Sequence, residues 1–170
     1  MTGAAARRTR LFLACITLAG AIALAAWFAD RQAATVVGTA RVVDGDSLIV
    51  AGIEVRLFGI DAPELSQTCM RGARAWHCGS EAAEALRAAS RGKEVVCRPR
   101  EHDRYGRTVA LCHAAGLDLG AAMVKGGFAL AYGSYEADER EARDARRGIW
   151  SSTFDRPALW RSRHPRPNGP

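Results

Sequence analysis

Acidic side chains in two short segments have the types and the spacing to bind a hard cation. Asp44 and Asp46 flank a glycine where the first predicted strand ends, and Asp61 lies where the third ends. Carboxylates at neighbouring strand ends can share a calcium ion, which takes about six to eight oxygen ligands. The backbone carbonyl of Ala62 could add a ligand whatever its side chain. Asp-Gly-Asp alone is typical of an ordinary turn, so the prediction depends on Asp61 as well.

A further carboxylate and two arginines complete the set of groups needed to cut a phosphodiester. Glu64 follows a proline that fixes the backbone just after Asp61, and a carboxylate there could deprotonate a water molecule. The alternative is an ordinary surface glutamate on a loop. Arg56 on the third strand and Arg107 at the start of the fifth are suited to binding phosphate. Their two guanidinium groups could neutralise the charge that develops at a pentacoordinate phosphorus.

Aromatic side chains and a basic surplus favour a nucleic-acid partner. Tyr105, Tyr132 and Tyr135 could stack on bases or bond a phosphate, although a tyrosine alone more often packs. The chain has 24 basic and 18 acidic side chains. Without residues 1–34 the numbers are 20 and 17, a mild surplus that suits a polyanion. The arginines of residues 154–170 are expected to form a solvated basic tail, and no feature indicates an obligate protein partner.

The pattern of strands and helices predicts a small barrel that would position these groups. Strands are predicted at 36–43, 47–50, 54–60, 94–98 and 108–112, from β-branched residues and Gly-containing turns. Helices are predicted at 80–90, capped by Ser80, at 118–124, capped by Asp118, and at 136–147. This order indicates a mainly β fold with α (α+β), a five-stranded Greek-key barrel of OB type with about three helices.

The cysteines after the N-terminal segment predict two disulfide bonds. If residues 103–106 form a hairpin turn, Cys97 and Cys112 lie equally far from its centre and face each other across antiparallel strands. Cys69 and Cys78 then close a short loop. Zinc binding is the alternative, but these cysteines and the isolated histidines lack the usual zinc spacing.

The first 34 residues are predicted to be a signal peptide or an N-terminal membrane anchor. Three arginines precede the uncharged run Leu11–Phe28, which is long for a signal peptide and short for a membrane span. Cleavage is slightly favoured over a retained anchor. The domain would then occupy residues 35–153 and the tail 154–170. The protein is expected to be exported, either periplasmic or extracellular, or anchored and facing outside.

Five separated motifs, taken in order, resemble those of the staphylococcal nuclease (thermonuclease) family. They cover residues 36–150 and are Asp-Gly-Asp-Ser at 44–47, Arg-x-x-x-x-Asp-Ala-Pro-Glu at 56–64, Asp-Arg-Tyr-Gly-Arg at 103–107, Gly-Phe-Ala-Leu-Ala-Tyr at 127–132 and Arg-Gly-Ile-Trp at 147–150. The resemblance implies an OB-fold, Ca²⁺-dependent endonuclease. Such an enzyme hydrolyses DNA and RNA at the 5′-oxygen side and leaves 3′-phosphates.

The resemblance also implies a role for each matching residue. The metal ligands would be Asp46, Asp61 and the Ala62 carbonyl, with Asp44 near the metal. Glu64 would be the general base, and Arg56 and Arg107 would bind the phosphate. Tyr105 and Tyr132 would line the nucleotide site. Ala62 and Ser47 stand where the family has threonine, and the segment after Glu64 differs most. The alternative function is a catalytically inactive nucleic-acid-binding OB module, membrane-anchored if the N-terminal segment is retained.

Overall fold

The computed structural model describes residues 34–165, and the part of the chain from Thr35 onwards forms a compact unit by itself. The predicted signal or anchor, including Leu11–Phe28, lies outside the described residues. Within 34–165, no helix is long and apolar enough to cross a membrane.

Strands and helices alternate along this unit. The strands are β1 (Val36–Val42), β2 (Ser47–Val50), β3 (Ile53–Leu57), β4 (Ile60–Asp61), β5 (Cys69–Arg71), β6 (Arg74–Trp76), β7 (Glu94–His102), β8 (Thr108–Ala114), β9 (Leu117–Asp118) and β10 (Leu130–Ala131). The helices are α1 (Cys78–Ser90), α2 (Leu119–Lys125), α3 (Glu136–Asp144) and α4 (Pro157–Arg163), with a 3₁₀ turn at Gly148–Ser151.

Five of the strands close into a barrel. Antiparallel pairing joins β3, β2, β1, β7 and β8 in that order, and a parallel pairing of β3 with β8 completes the ring. The predicted five-stranded barrel of OB type is therefore confirmed. The number of helices is four in residues 34–165 rather than about three. The additional helix, α4, lies in the segment predicted to be a solvated tail, where Pro157 provides a helical φ at the first position.

The barrel interior is filled by alternate residues of its strands. Leu48 and Val50 of β2 and Val55 and Leu57 of β3 are buried, because successive side chains on a strand point to opposite faces. Leu86 of α1 packs into the same core. Residues between these positions, Arg56 among them, therefore point away from the barrel interior.

The third predicted strand is interrupted before it reaches Asp61. β3 ends at Leu57, and Gly59 adopts a positive φ of 76°. A Cβ atom on Gly59 would lie 2.7 Å from the Cβ atom of Ser134, so glycine is required there. Asp61 instead lies on the separate strand β4, which pairs with β10. The prediction of one continuous strand over 54–60 was wrong at this point.

The segment after Glu64 is more ordered than the predicted loop. β5 and β6 form a hairpin, and α1 begins at Cys78 without a side-chain cap. Ser80 was predicted to be that cap; its hydroxyl instead donates to the Leu65 carbonyl at 3.3 Å. Near the other end of the chain, α3 stops at Asp144, earlier than predicted, because Arg146 has a positive φ of 51° that a right-handed helix cannot contain.

Both predicted disulfide bonds are present. Cys97 and Cys112 are direct partners in the β7–β8 ladder, with Cα atoms 4.0 Å apart. Cys69 and Cys78 connect the start of β5 to the start of α1. All four sulfur atoms are therefore in disulfides, which excludes the zinc alternative.

The Cys97–Cys112 bond is expected to stabilise the barrel substantially. Its partners are separated by 15 residues, and closing a loop of that length is worth about 3 kcal/mol. The double variant Cys97→Ala/Cys112→Ala should lose about that much free energy of unfolding, measured by urea denaturation followed by circular dichroism. A loss below about 1 kcal/mol would contradict this expectation.

Candidate active site

The turn between β1 and β2 packs directly against the segment that carries Asp61. A Cβ atom on Gly45 would lie 2.7 Å from the Cβ of Ala62 and 2.8 Å from that of Ala82, so only glycine fits between the two aspartates. The Asp46 amide donates to Asp44 Oδ1 at 3.1 Å, which stabilises the turn. This close approach brings Asp46 beside the Asp61 segment.

Asp46 is buried and fully engaged by hydrogen-bond donors. Its side chain has 4% of its surface exposed, and both carboxylate oxygens accept from Arg56, at 2.9 and 2.8 Å. The Ser47 hydroxyl and the Ala62 amide donate to it at 3.0 Å each. Burial raises the pKa of Asp46 to about 7, against the opposing effect of the Arg56 charge.

Arg56 connects the two carboxylates that were predicted to bind a cation. Val55 and Leu57 point into the core, so Arg56 lies on the outer face of β3. In addition to its bonds with Asp46, it donates to Asp61 Oδ1 at 2.9 Å. A single guanidinium therefore holds Asp46, from the turn between β1 and β2, close to Asp61 of β4.

Arg161 of α4 extends this ionic cluster to Glu64. It donates to Asp61 at 3.0 and 3.3 Å and to Glu64 Oε1 at 2.9 Å. Burial alone would lower the pKa of Arg161, but the bonds to the two carboxylates outweigh burial and raise it. The expectation of a solvated basic tail is therefore wrong for Arg161. Glu64, with 15% of its side chain exposed, is not an ordinary surface glutamate.

Gln67 organises the loop that carries Glu64, a role that the sequence alone did not reveal. It is fully buried, and its backbone amide donates to the Glu64 carbonyl at 2.7 Å. Its side-chain oxygen accepts from the Glu64 amide at 3.2 Å, and its side-chain nitrogen donates to the Asp155 carbonyl at 2.7 Å. The loop of Glu64 and the chain entering α4 are thus attached to one amide side chain.

The start of α1 closes the other side of the same loop. A Cβ atom on Gly79 would lie 1.7 Å from the Glu64 carbonyl oxygen, and the Gly79 amide donates to the Gln67 carbonyl at 3.1 Å. The neighbouring Cys78 is tied to Cys69. The loop that carries Glu64 is therefore packed against a helix start that a disulfide restrains.

Arg107 directly precedes β8, the strand that pairs with the strand of Arg56, but it has different partners. Thr108 is opposite Val55 in the parallel β3–β8 ladder, which brings the chain of Arg107 beside β3. Its Nε donates to Asp103 Oδ2 at 2.7 Å. Slight burial would raise the pKa of Asp103, but bonds from Arg107 and from the amide of Tyr105 lower it below its usual value.

The three tyrosines predicted to contact a substrate differ in their surroundings. Tyr105 and Tyr132 are exposed, and the Tyr132 amide donates to the Gly59 carbonyl at 2.8 Å, close to the Asp61 segment. Tyr135 is partly buried, and its hydroxyl donates to Asp118 at 3.0 Å. This bond and burial, the larger cause, raise the pKa of Tyr135 above its usual value. Tyr135 therefore packs the α2–α3 contact.

The donors of this site fit a hard divalent cation chemically, provided that Arg56 and Arg161 give up bonds to the carboxylates. Carboxylate and carbonyl oxygens are the ligands calcium prefers, and Asp46, Asp61 and Ala62 supply them. Within residues 34–165, however, no group of three acidic, histidine or cysteine side chains stands arranged around a metal position. Both oxygens of Asp61 accept from Arg161 instead. A cation at Asp61 would therefore compete with Arg161 for these oxygens.

Comparison with known proteins identifies the family. Residues 54–152 match the family model described as staphylococcal nuclease homologue. The chain belongs to the staphylococcal nuclease family. The match covers β3, the ionic residues Arg56, Asp61 and Glu64, and Arg107; it ends before α4, which carries Arg161.

Several members of the staphylococcal nuclease family and related proteins align with the chain. It is 34% identical over 143 residues to micrococcal nuclease of Shigella flexneri, covering 71% of this chain and 77% of that protein. It is 37% identical over 124 residues to succinoglycan biosynthesis protein ExoI of Rhizobium meliloti (strain 1021), covering 68% and 64%. It is 33% identical over 136 residues to "Probable endonuclease LCL3" of Schizophyllum commune, covering 66% of this chain but only 46% of that protein.

Replacing Gln67 should destabilise the protein through its hydrogen bonds. Gln67→Leu keeps the volume but removes the partners of the Glu64 amide and the Asp155 carbonyl, so we expect a loss of about 1–3 kcal/mol in the free energy of unfolding. Urea denaturation measures this change. Ser80→Ala, which removes one exposed bond to the same loop, serves as the matched control and should cost less than about 1 kcal/mol. Equal losses in the two variants would contradict the role given to Gln67.

Proposed function

We propose that this member of the staphylococcal nuclease family is a hydrolase, a Ca²⁺-dependent endonuclease acting on DNA and RNA. It would cleave phosphodiesters at the 5′-oxygen side and leave 3′-phosphates. The observation that carries the proposal is the ionic cluster in which Arg56 and Arg161 hold Asp46, Asp61 and Glu64 together. This cluster unites cation ligands, a candidate base and a phosphate-binding arginine at one place on the barrel.

Asp46, Asp61 and the Ala62 carbonyl would hold the calcium ion, with Asp44 beside them. When bound, the ion would polarise a phosphoryl oxygen and make a nearby water molecule more acidic. Glu64 would take the proton of the attacking water on its carboxylate. Its restrained loop supports this role, because a base must keep its position relative to the substrate.

Arg56 and Arg107 would bind the reacting phosphate. Arg56 lies on β3, and Arg107 immediately precedes β8, which pairs with β3. Guanidinium groups bind phosphate oxygens in pairs and stabilise the extra negative charge of the transition state. Arg56 would exchange its bonds with the aspartates for bonds to the phosphate once a metal ion neutralises those aspartates. The exposed rings of Tyr105 and Tyr132 offer surfaces on which bases could stack.

An exported location is part of the proposal. The two disulfides support it, since such bonds persist in oxidising compartments such as the periplasm or the extracellular space. Residues 1–34 would be the signal peptide or membrane anchor, 35–153 the nuclease domain and 154–170 a C-terminal segment that includes α4. No obligate protein partner is proposed.

The nuclease proposal is tested by the cation dependence of cleavage. Purified protein should degrade DNA and RNA in millimolar Ca²⁺, and a chelator should stop the reaction. The products should carry 3′-phosphates, detected by their resistance to extension by a polymerase until a phosphatase is added. Intact nucleic acid in Ca²⁺, together with retained binding in a filter assay, would favour the inactive nucleic-acid-binding module instead.

The role of Glu64 is tested by Glu64→Gln. Loss of the base should lower the cleavage rate about 10²- to 10⁴-fold while circular dichroism shows an unchanged fold. Glu94→Gln, at an exposed carboxylate of β7, is the matched control and should retain the wild-type rate. Wild-type activity in Glu64→Gln would reject the assigned role.

The role of Arg107 is tested by Arg107→Ala. Removing one phosphate-binding guanidinium should lower kcat/KM about 10²-fold or more, because the transition state carries more negative charge than the substrate. Arg98→Ala, an exposed arginine on the neighbouring strand β7, controls for the loss of one positive charge. Equal effects of the two substitutions would show that Arg107 contributes only through the net positive charge of the protein and does not bind the phosphate directly.

A further inference from the structure

The C-terminal helix α4 places a guanidinium on the acidic groups of the site. Arg161 donates to both oxygens of Asp61, at 3.0 and 3.3 Å, and to Glu64 at 2.9 Å. Arg161 and Asp61 are separated by 100 positions in the chain. The contact is therefore made by the tertiary fold and by no local feature of the sequence.

The chain that leads into α4 is fastened to the body of the protein. Thr153 and Met70 exchange two backbone hydrogen bonds, of 2.9 and 2.8 Å, which attach this segment to β5. The Asp155 carbonyl accepts from the buried Gln67 side chain, and Pro157 is itself buried. The base of α4 is thus fixed by groups other than Arg161, and the helix directs Arg161 to the site.

Of the two arginines in the cluster, Arg161 is the one that can more readily exchange its carboxylate bonds for bonds to water. Its side chain is 38% exposed, whereas that of Arg56 is 20% exposed. A guanidinium at a half-exposed position can exchange its carboxylate bonds for bonds to water at small cost. A divalent cation needs the same oxygens of Asp61, because calcium binds carboxylates directly. The guanidinium and the metal ion compete for these oxygens, because two positive charges at one carboxylate repel each other and Asp61 Oδ1 already accepts from both Arg56 and Arg161.

We propose that Arg161 is an internal competitor of the divalent cation, so that α4 sets the affinity of the site for the metal. This inference rests on the proposed function, since it takes Asp61 as a metal ligand. In the absence of the ion, Arg161 pairs with both Asp61 and Glu64. When the ion binds Asp61, Arg161 leaves that carboxylate and the tip of α4 loosens. Because coupling is reciprocal, each event weakens the other by the same factor.

Calcium affinity provides the first test. Isothermal titration of purified Arg161→Gln with CaCl₂ should show binding at least about fivefold tighter than that of the wild type. Arg163→Gln is the matched control: it removes the same charge from the same helix, and Arg163 pairs with Asp155 outside the cluster. It should change the affinity less than about twofold, within the range of a screened surface charge. Arg161→Lys keeps the charge but loses the forked geometry, so its affinity should lie between wild type and Arg161→Gln.

Hydrogen exchange provides a second test that does not depend on catalysis. In the wild type, CaCl₂ should speed exchange of the backbone amides of residues 158–163, because Arg161 loses its partners. In Arg161→Gln these amides should exchange faster from the start and should not respond to CaCl₂. In Arg163→Gln the calcium response should persist. Circular dichroism of each variant checks that the barrel is folded.

The outcomes separate this inference from the proposed function. If the wild type binds calcium and Arg161→Gln binds it no more tightly than Arg163→Gln, the inference is wrong and the nuclease proposal stands. Weaker binding by Arg161→Gln would also overturn it, since Arg161 would then hold the ligands in place for the metal. If none of the proteins binds calcium or cleaves nucleic acid, both proposals fail.

Discussion

The site depends on an alternating series of charges in which each carboxylate is held by a neighbouring guanidinium. Asp46 and Asp61 share Arg56, and Asp61 and Glu64 share Arg161. A carboxylate as buried as that of Asp46 is costly unless it is paired, so its ion pair with Arg56 offsets part of the cost of burying it. The turn glycine, the barrel strands and α4 all serve to bring these groups within hydrogen-bonding distance.

The segment after Glu64, predicted as a loop, is an ordered unit that supports the site. The chain there forms the β5–β6 hairpin, and the Cys69–Cys78 bond ties it to the start of α1. The hairpin anchors the segment that precedes α4, and Gln67 links that segment to the Glu64 loop. The position of the candidate base and the position of Arg161 therefore depend on one structural unit.

Sequence patterns predicted the parts of the fold that local rules control. The strand at Ser47–Val50 and the Asp118 cap of α2 match the structure, because alternation and capping act over a few residues. The Cys97–Cys112 pair followed from hairpin symmetry, which is also local. The break at Gly59 was not predicted from the sequence because it is associated with a close contact to Ser134, a residue far along the chain.

The sequence by itself determined the barrel, both disulfides and the chemical types of the candidate site residues, since strand periodicity, cysteine spacing and side-chain chemistry can be recognised in short segments. Only the tertiary structure decided how those residues are paired. It placed Asp61 on its own strand, bonded the Tyr135 hydroxyl to Asp118 and brought Arg161 onto Asp61 and Glu64. The physical reason is that an ion pair depends on distance in space, and closure of the barrel and docking of α4 set that distance.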